Sequence, residues 1–267
     1  MRLVNHLNVH PALLKEYRGI TAGAQGKDQL TLTDVVRRTE LLPEKRVSIQ
    51  STRKIHSCGG SIISADVILT AAHCLENVKP SWIRVQAGFI DLKNAGPCKQ
   101  VRFASEFIFH EDHDAYFNND VALIRLSRPF NLEESHGYIG TICITESSSM
   151  AGKILIAGWG QLSHHGQSPD SLMTAEVFIQ RPQICTEHDK QYNNSIMFCA
   201  HAPGIDACVG DSGGPASQEK GNVAVQVGIV SFGRICANGT GYYVRLSTFT
   251  SWIKDNMIKL GYTVKST

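Results

Sequence analysis

From Val47 onward the chain breaks into short apolar or alternating runs separated by turns, and this texture restricts the fold more than any other feature. The runs are Val47–Gln50, Ser61–Ile63, Val67–Thr70, Ile83–Ala87, Val121–Leu126, Ile154–Ala157, Ala224–Ser231 and Tyr242–Leu246. Turns rich in Gly, Asn, Asp and Pro stand between them. Many short strands punctuated in this way fold into antiparallel barrels or sandwiches. Only the end reads clearly as helix. In STFTSWIKDNMIKL, Phe249, Trp252, Ile253, Met257 and Leu260 share a face at helical spacing, with Ser247 or Thr248 as the expected cap. The 267 residues suit one large domain or two small ones. Residues 1–46 differ in texture: they carry several charges, no cysteine and little alternation.

The cysteines add a second constraint. There are eight, irregularly spaced and with no CxxC pair. Zinc ribbons show close pairs, so a disulfide framework is the better reading, and it implies an oxidising compartment. The N-terminus, MRLVNHLNVHPALLKEYRG, does not agree, because polar residues interrupt it too often to make the apolar core of a signal peptide. The net charge of +2, from 26 basic and 24 acidic residues, points to neither nucleic acid nor an anionic membrane surface. No apolar run approaches the roughly 18–20 residues of a membrane helix.

Chemistry enters with GDSGGP at 210–215. A serine hydroxyl is a poor nucleophile until a base takes its proton, and the oxyanion formed on attack needs donors. Glycines let the backbone turn so that two N–H groups face one point. The motif therefore reads as a nucleophile, Ser212, on a tight turn, with the amides of Gly210 and Ser212 as an oxyanion hole. ILTAAHC (68–74) follows a strand-like run and supplies a base, His73. NNDVALIRL (118–126) sets Asp120 at the start of a buried strand, where it can orient that base. The pattern G-x-S-x-G also fits α/β-hydrolases, but there the serine precedes the acid and the histidine. Here it comes last, and the chain lacks the alternating helices of that fold.

Together CGGSIISADVILTAAHC, NNDVALIRLSRP, GWG (158–160), GDSGGP and GIVSFG (228–233) resemble the chymotrypsin/trypsin-like serine proteases, in the family's order, from about Val47 to Ile258. The resemblance implies an all-β fold of two perpendicular six-stranded antiparallel β-barrels with a C-terminal α-helix. The first barrel would span about 47–128 and the linker 129–152. The second barrel would span about 153–246 and the helix 247–260. It implies that Ser212 attacks the scissile carbonyl, His73 shuttles the proton, and Asp120 holds the imidazole. Ser231 would support Asp120 and line the substrate strand. Asp206 would form the floor of the primary pocket and select Arg or Lys, with Gly233 and Gly241 as walls small enough to admit a long side chain. Ile235, where trypsins usually carry glycine, and Arg234 at the rim would narrow the pocket or its choice.

The resemblance also assigns three disulfides: Cys58–Cys74, Cys185–Cys199 and Cys208–Cys236. Each typically adds about 2–4 kcal/mol. Ile154 and Gln218 lie near positions where many members carry a further pair. Cys98 and Cys143 are left over, and their pairing is expected by elimination. Protein or peptide substrates and protein protease inhibitors are the implied partners, with a secreted, monomeric protein and no cofactor or metal. HEDHD (110–114) lacks HExxH spacing and reads as surface loop, as do His164 and His165. Asn193 and Asn238 stand in N-glycosylation sequons.

Family members begin at a cleaved Arg/Lys-Ile-Val-Gly-Gly, and the freed amino group pairs with the acid matched here by Asp211. In DVVRRTELLPEKRVSIQ (34–50), Val35–Val36 resemble a remnant of that site. Asp34 replaces the basic residue and Arg37–Arg38 replace the glycines; Arg18-Gly19-Ile20 lies too far upstream. An alternative or wrong first exon is the favoured account, ahead of a protease-like binding or regulatory protein locked as a zymogen, or activation by an unusual cut. The chain as written is expected to have little peptidase activity, whereas the underlying family member is expected to be active.

Overall fold

The computed structural model describes residues 43–94, 96–221, 223–233, 236 and 239–263. The expectations placed on residues 1–42, on Arg234 and Ile235, and on Asn238 lie outside them. Among the described residues, thirteen strands and two α-helices form two β-barrels and a C-terminal helix. The first barrel contains β1 (Arg46–Ser51), β2 (His56–Ser64), β3 (Val67–Thr70), β4 (Ile83–Ala87), β5 (Gln100–Phe109) and β6 (Ala122–Leu126). It closes in the order β1-β2-β3-β6-β5-β4, all antiparallel. After the short β7 (Cys143–Ile144) come β8 (Lys153–Gly158), β9 (Met173–Ile179), β10 (Met197–His201), β11 (Pro215–Lys220), β12 (Val223–Gly233) and β13 (Gly241–Arg245). The last six run β11-β8-β9-β10-β13-β12 and close through β11–β12, while β7 adds a parallel edge to β12.

Two strand segments of the first barrel are apolar on both faces because their two faces meet different cores. In β3, Ile68 points into the first barrel while Val67 and Leu69 point out of it. At β6, Ala122, Ile124 and Leu126 point in while Val121 and Leu123 point out. The outward residues meet Ile229 of β12 and Val244 of β13, together with Leu246, Phe249 and Ile253 of the C-terminal helix. Period-2 geometry thus turns continuous apolar runs into a joint between the barrels. His73 follows β3, Asp120 precedes β6 and Ser231 lies on β12, so this one joint fixes all three.

The C-terminal helix, α2 (Leu246–Lys259), buries the expected apolar face, with Trp252, Met257 and Leu260 packed at its margin. Its cap differs from expectation. Arg245 occupies the N-cap with no side-chain cap bond, and the Thr248 hydroxyl instead donates to the Ser195 carbonyl at 2.7 Å. The chain was also expected to be helical only at its end, yet α1 forms at Pro182–His188. Pro182 suits a first helical turn, where its missing N–H costs nothing, and Cys185 anchors α1 through its disulfide.

Disulfides join Cys58 to Cys74, Cys185 to Cys199 and Cys208 to Cys236. The expected Cys98–Cys143 bridge is not made; both thiols are free. Cys98 lies in the turn before β5 of the first barrel, whereas Cys143 is exposed on β7, against Val225 of the second. No helix among the described residues is long and apolar enough to cross a membrane.

Candidate active site

The turn that follows β3 is built from small residues. Ala71 and Ala72 are fully buried and start a short 3-10 helix, Ala72–Leu75, that carries His73 to the cleft rim. The Cys58–Cys74 bridge pins this turn to β2. Asp120 is fully buried. Its Oδ1 accepts the His73 backbone N–H at 2.9 Å, and its Oδ2 accepts from the His73 ring at Nδ1 (2.8 Å) and from the Ser231 hydroxyl (2.5 Å). Burial opposes ionisation of Asp120, but the bonds from His73 and Ser231 outweigh it and hold the carboxyl below its usual range. Because a carboxylate can only accept, Nδ1 carries a proton, and in the neutral ring Nε2 is then the unprotonated nitrogen. That ring packs edge-on against Phe117, which is held at φ 61° in the loop before Asp120.

Ser212 lines the same cleft as His73, a cavity of about 220 Å³. Among the described residues its hydroxyl makes no hydrogen bond. In ligand-free sites the serine–histidine contact is often long and tightens when substrate binds. The turn around Ser212 is fixed from several sides. The N–H groups of Asp211, Gly213 and Gly214 donate to Cys208, Val230 and Asp211 carbonyls, and Gly59 N–H donates to the Ser212 carbonyl at 2.7 Å. Gly210 and Ser212 N–H have no partner among the described residues. Gly213 sits at φ +79°, and a Cβ there would stand 2.2 Å from Thr70 Oγ1.

Asp211 is turned away from the cleft. Its Oδ1 accepts from Gly160 N–H and its Oδ2 from Cys208 N–H, both at 2.9 Å. A Cβ on Gly158 or Gly160 would lie 2.0 or 2.5 Å from the Asp211 carboxyl group. The two glycines of GWG are therefore the space that this carboxylate occupies. Trp159 between them is buried, stacks on Phe89 and donates from Nε1 to the Ile90 carbonyl at 2.8 Å.

Asp206 lies behind the base of the cleft. Its carboxylate oxygens stand 2.5 and 3.8 Å from where Cβ atoms of Gly241 and Gly233 would be. Oδ1 accepts from Ala207 N–H at 2.8 Å, whereas the buried Oδ2 has no partner among the described residues. Burial raises its pKa to about 7, against the pull of that backbone bond and of His201. The buried hydroxyl of Tyr243 also lacks a partner and borders the Gly241 position. Phe232 stacks between Phe117 and Tyr242 to form one wall.

Two neighbours of the turn escaped the sequence reading. His56 Nε2 lies 2.9 Å from the Gly210 carbonyl and its Nδ1 lies 2.7 Å from Ser48 Oγ. A carbonyl only accepts, so Nε2 donates and Nδ1 takes the Ser48 proton. Burial lowers the His56 pKa, with the Gly210 bond opposing, which keeps the ring neutral. Arg46 is 1% exposed and donates from Nη2 to the Pro215 carbonyl at 3.1 Å. Proximity to the cysteine motif could have flagged His56; nothing in the sequence marks a strand-opening arginine as buried. His113 bonds Glu76 and the Asn118 carbonyl, while His164 and His165 are exposed. The Cys58, His73 and Cys74 atoms approach one another, but both sulfurs are in a disulfide.

Comparison with known proteins agrees with this arrangement. Residues 38–253 match the family model described as Trypsin. Trypsin alpha of Drosophila melanogaster is 37% identical over 215 residues, covering 78% of this chain and 80% of the relative. Trypsin delta of the same fly is 35% identical over 218 residues, covering 79% and 82%. Hypodermin-B of Hypoderma lineatum is 36% identical over 208 residues, covering 75% and 78%. On fold, site geometry and sequence together, the chain belongs to the trypsin-like family of serine peptidases.

Proposed function

We propose that the protein is a secreted serine endopeptidase that cleaves after Arg or Lys through an acyl-enzyme. The observation that carries this reading is the pairing of buried Asp120 with His73 Nδ1, which leaves Nε2 as a base in the cleft lined by Ser212. In the proposed cycle Ser212 Oγ attacks the carbonyl carbon of the substrate while its proton passes to His73 Nε2. Asp120 stabilises the imidazolium so formed. The negative carbonyl oxygen takes hydrogen bonds from the Gly210 and Ser212 N–H groups, and the leaving amine then takes the proton from Nε2. Water repeats the sequence to release the acid. Ser231, while donating to Asp120, borders the cleft where an extended substrate would lie.

Preference for Arg or Lys rests on Asp206. A buried carboxylate oxygen with no partner is costly, and a cationic side chain reaching past Gly233 and Gly241 relieves it. Peptides differing only in Arg, Lys or Leu before the scissile bond test this. For the natural mature protein, cleavage after Arg and Lys, abolished by Ser212→Ala, is expected; equal cleavage after Leu would remove the assigned preference.

A second reading, a protease-like binding or regulatory protein, is favoured by one observation. Among the described residues half-buried Asp211 has no ion-pair partner, and a cavity of about 270 Å³ opens beside it. In the family a freed amino group supplies that charge. Peptide binding to Ser212→Ala, with no turnover by the unaltered chain, would support the second reading.

A further inference from the structure

Arg46 opens β1, at the back of the turn that carries Ser212, and the proposed mechanism leaves it unused. It is almost completely buried, yet among the described residues only one of its three nitrogens has a partner: Nη2, on the Pro215 carbonyl. Nε and Nη1 are buried and find no partner among those residues. A guanidinium in that state is expensive unless an opposite charge lies near. The acid at the same turn is Asp211, half-buried and likewise without an ion pair among the described residues. The guanidinium reaches the backbone of that turn at Gly214. A Cβ there would lie 3.2 Å from Arg46 Nη1 and 2.9 Å from the Asp211 backbone carbonyl, which accepts the Gly214 N–H at 3.0 Å, while the Asp211 carboxylate lies against Gly158 and Gly160. Arg46 thus holds the Pro215 end of the 210–215 turn and lies against Gly214.

We propose that Arg46 is a positioning residue: an internal cation that offsets the Asp211 carboxylate and keeps the Gly210–Pro215 turn in its oxyanion-binding shape. The proposal rests on the peptidase reading for its effect on rate, but not for the pairing itself. Burial disfavours the charge on both groups, and each is favoured by the other: Arg46 is drawn down to about 9 and stays cationic at neutral pH, while Asp211 is raised.

Full-length wild type, R46K, R46Q, D211N and R46Q/D211N decide the matter through two readouts. The first is the urea midpoint, which does not depend on catalysis. Each single neutral variant strands the opposite charge, so the double variant should be clearly more stable than the sum of the two single changes predicts; additive changes would overturn the pairing. If R46Q does not fold, recovery of folding in R46Q/D211N supports the pairing and continued failure overturns it. The second readout is the rate at which a peptidyl-arginine phosphonate labels Ser212. R46Q should react at least about tenfold more slowly, with R46K restoring most of the rate. Wild-type labelling by R46Q would overturn the positioning role. If wild-type Ser212 does not label at all, the peptidase reading and this rate effect fall together, while the midpoints still decide the pairing.

Discussion

Replacing Asp206 by asparagine should destroy preference for cationic substrates and, at the same time, stabilise the protein at alkaline pH. Burial raises the folded-state pKa of Asp206 from 3.8 to about 7. Between those values the folded chain keeps a proton that the unfolded chain gives up. Stability from this group is therefore complete below pH 3.8 and is lost as pH rises through about 7. At 1.36 kcal/mol per pH unit the penalty at pH 8 amounts to at most about 4 kcal/mol. Asp206→Asn removes it. Chemical denaturation with disulfides intact, at pH 5 and pH 8, should show a stabilisation that is larger at pH 8. On arginyl substrates kcat/KM should fall about 10²–10⁴-fold, the cost of removing one partner of a buried ion pair. An equal effect at both pH values, or a loss of stability at pH 8, would refute the argument that Asp206 is a strained, unpaired acid waiting for a cation.

Asp120→Asn should leave the fold intact while reducing kcat on the order of 10⁴-fold, because the amide cannot hold His73 in its Nδ1–H form; steady-state kinetics beside near-UV circular dichroism measures both. Gly160→Ala places a methyl group 2.5 Å from the Asp211 carboxyl group and should cost about 1–3 kcal/mol while slowing acylation of Ser212. Denaturation midpoints and burst kinetics check it. For the wild type, kcat/KM on arginyl substrates should fall as pH drops below about 7, where free Asp206 takes up its proton. A leucyl substrate, cleaved more slowly, should show less of that fall. Alkylation with disulfides intact should modify Cys98 and Cys143 alone, with exposed Cys143 reacting first.

Much of the site was legible because its chemistry is local. GDSGGP, TAAHC and NNDVAL each place one reacting group beside the backbone features it needs, and the structure unites His73 with Asp120 at hydrogen-bond distance. The apolar runs were equally plain where strands face two cores, as in β3 and β6. Strand β5 was not read, because Arg102, Phe103, Ser105 and Glu106 spread polar and exposed residues along both of its faces. The bridge assigned to Cys98 and Cys143 failed for a related reason. Elimination counts thiols, whereas pairing requires Cα atoms within about 7 Å, and these two belong to different barrels. Arg46 and His56 were invisible because their roles depend on the far side of the fold, some 150 residues away in sequence for each (Pro215 and Gly210). Burial of a charge is a property of the assembled barrels, and no local pattern announces it.

Mapping the adduct of a peptidyl-arginine phosphonate on the natural protein tests the central claim most directly. The account predicts one modified residue, Ser212, with no adduct after His73→Ala and a strong preference over the leucyl reagent. Modification elsewhere, or none in a protein whose three disulfides and fold are intact, would contradict it.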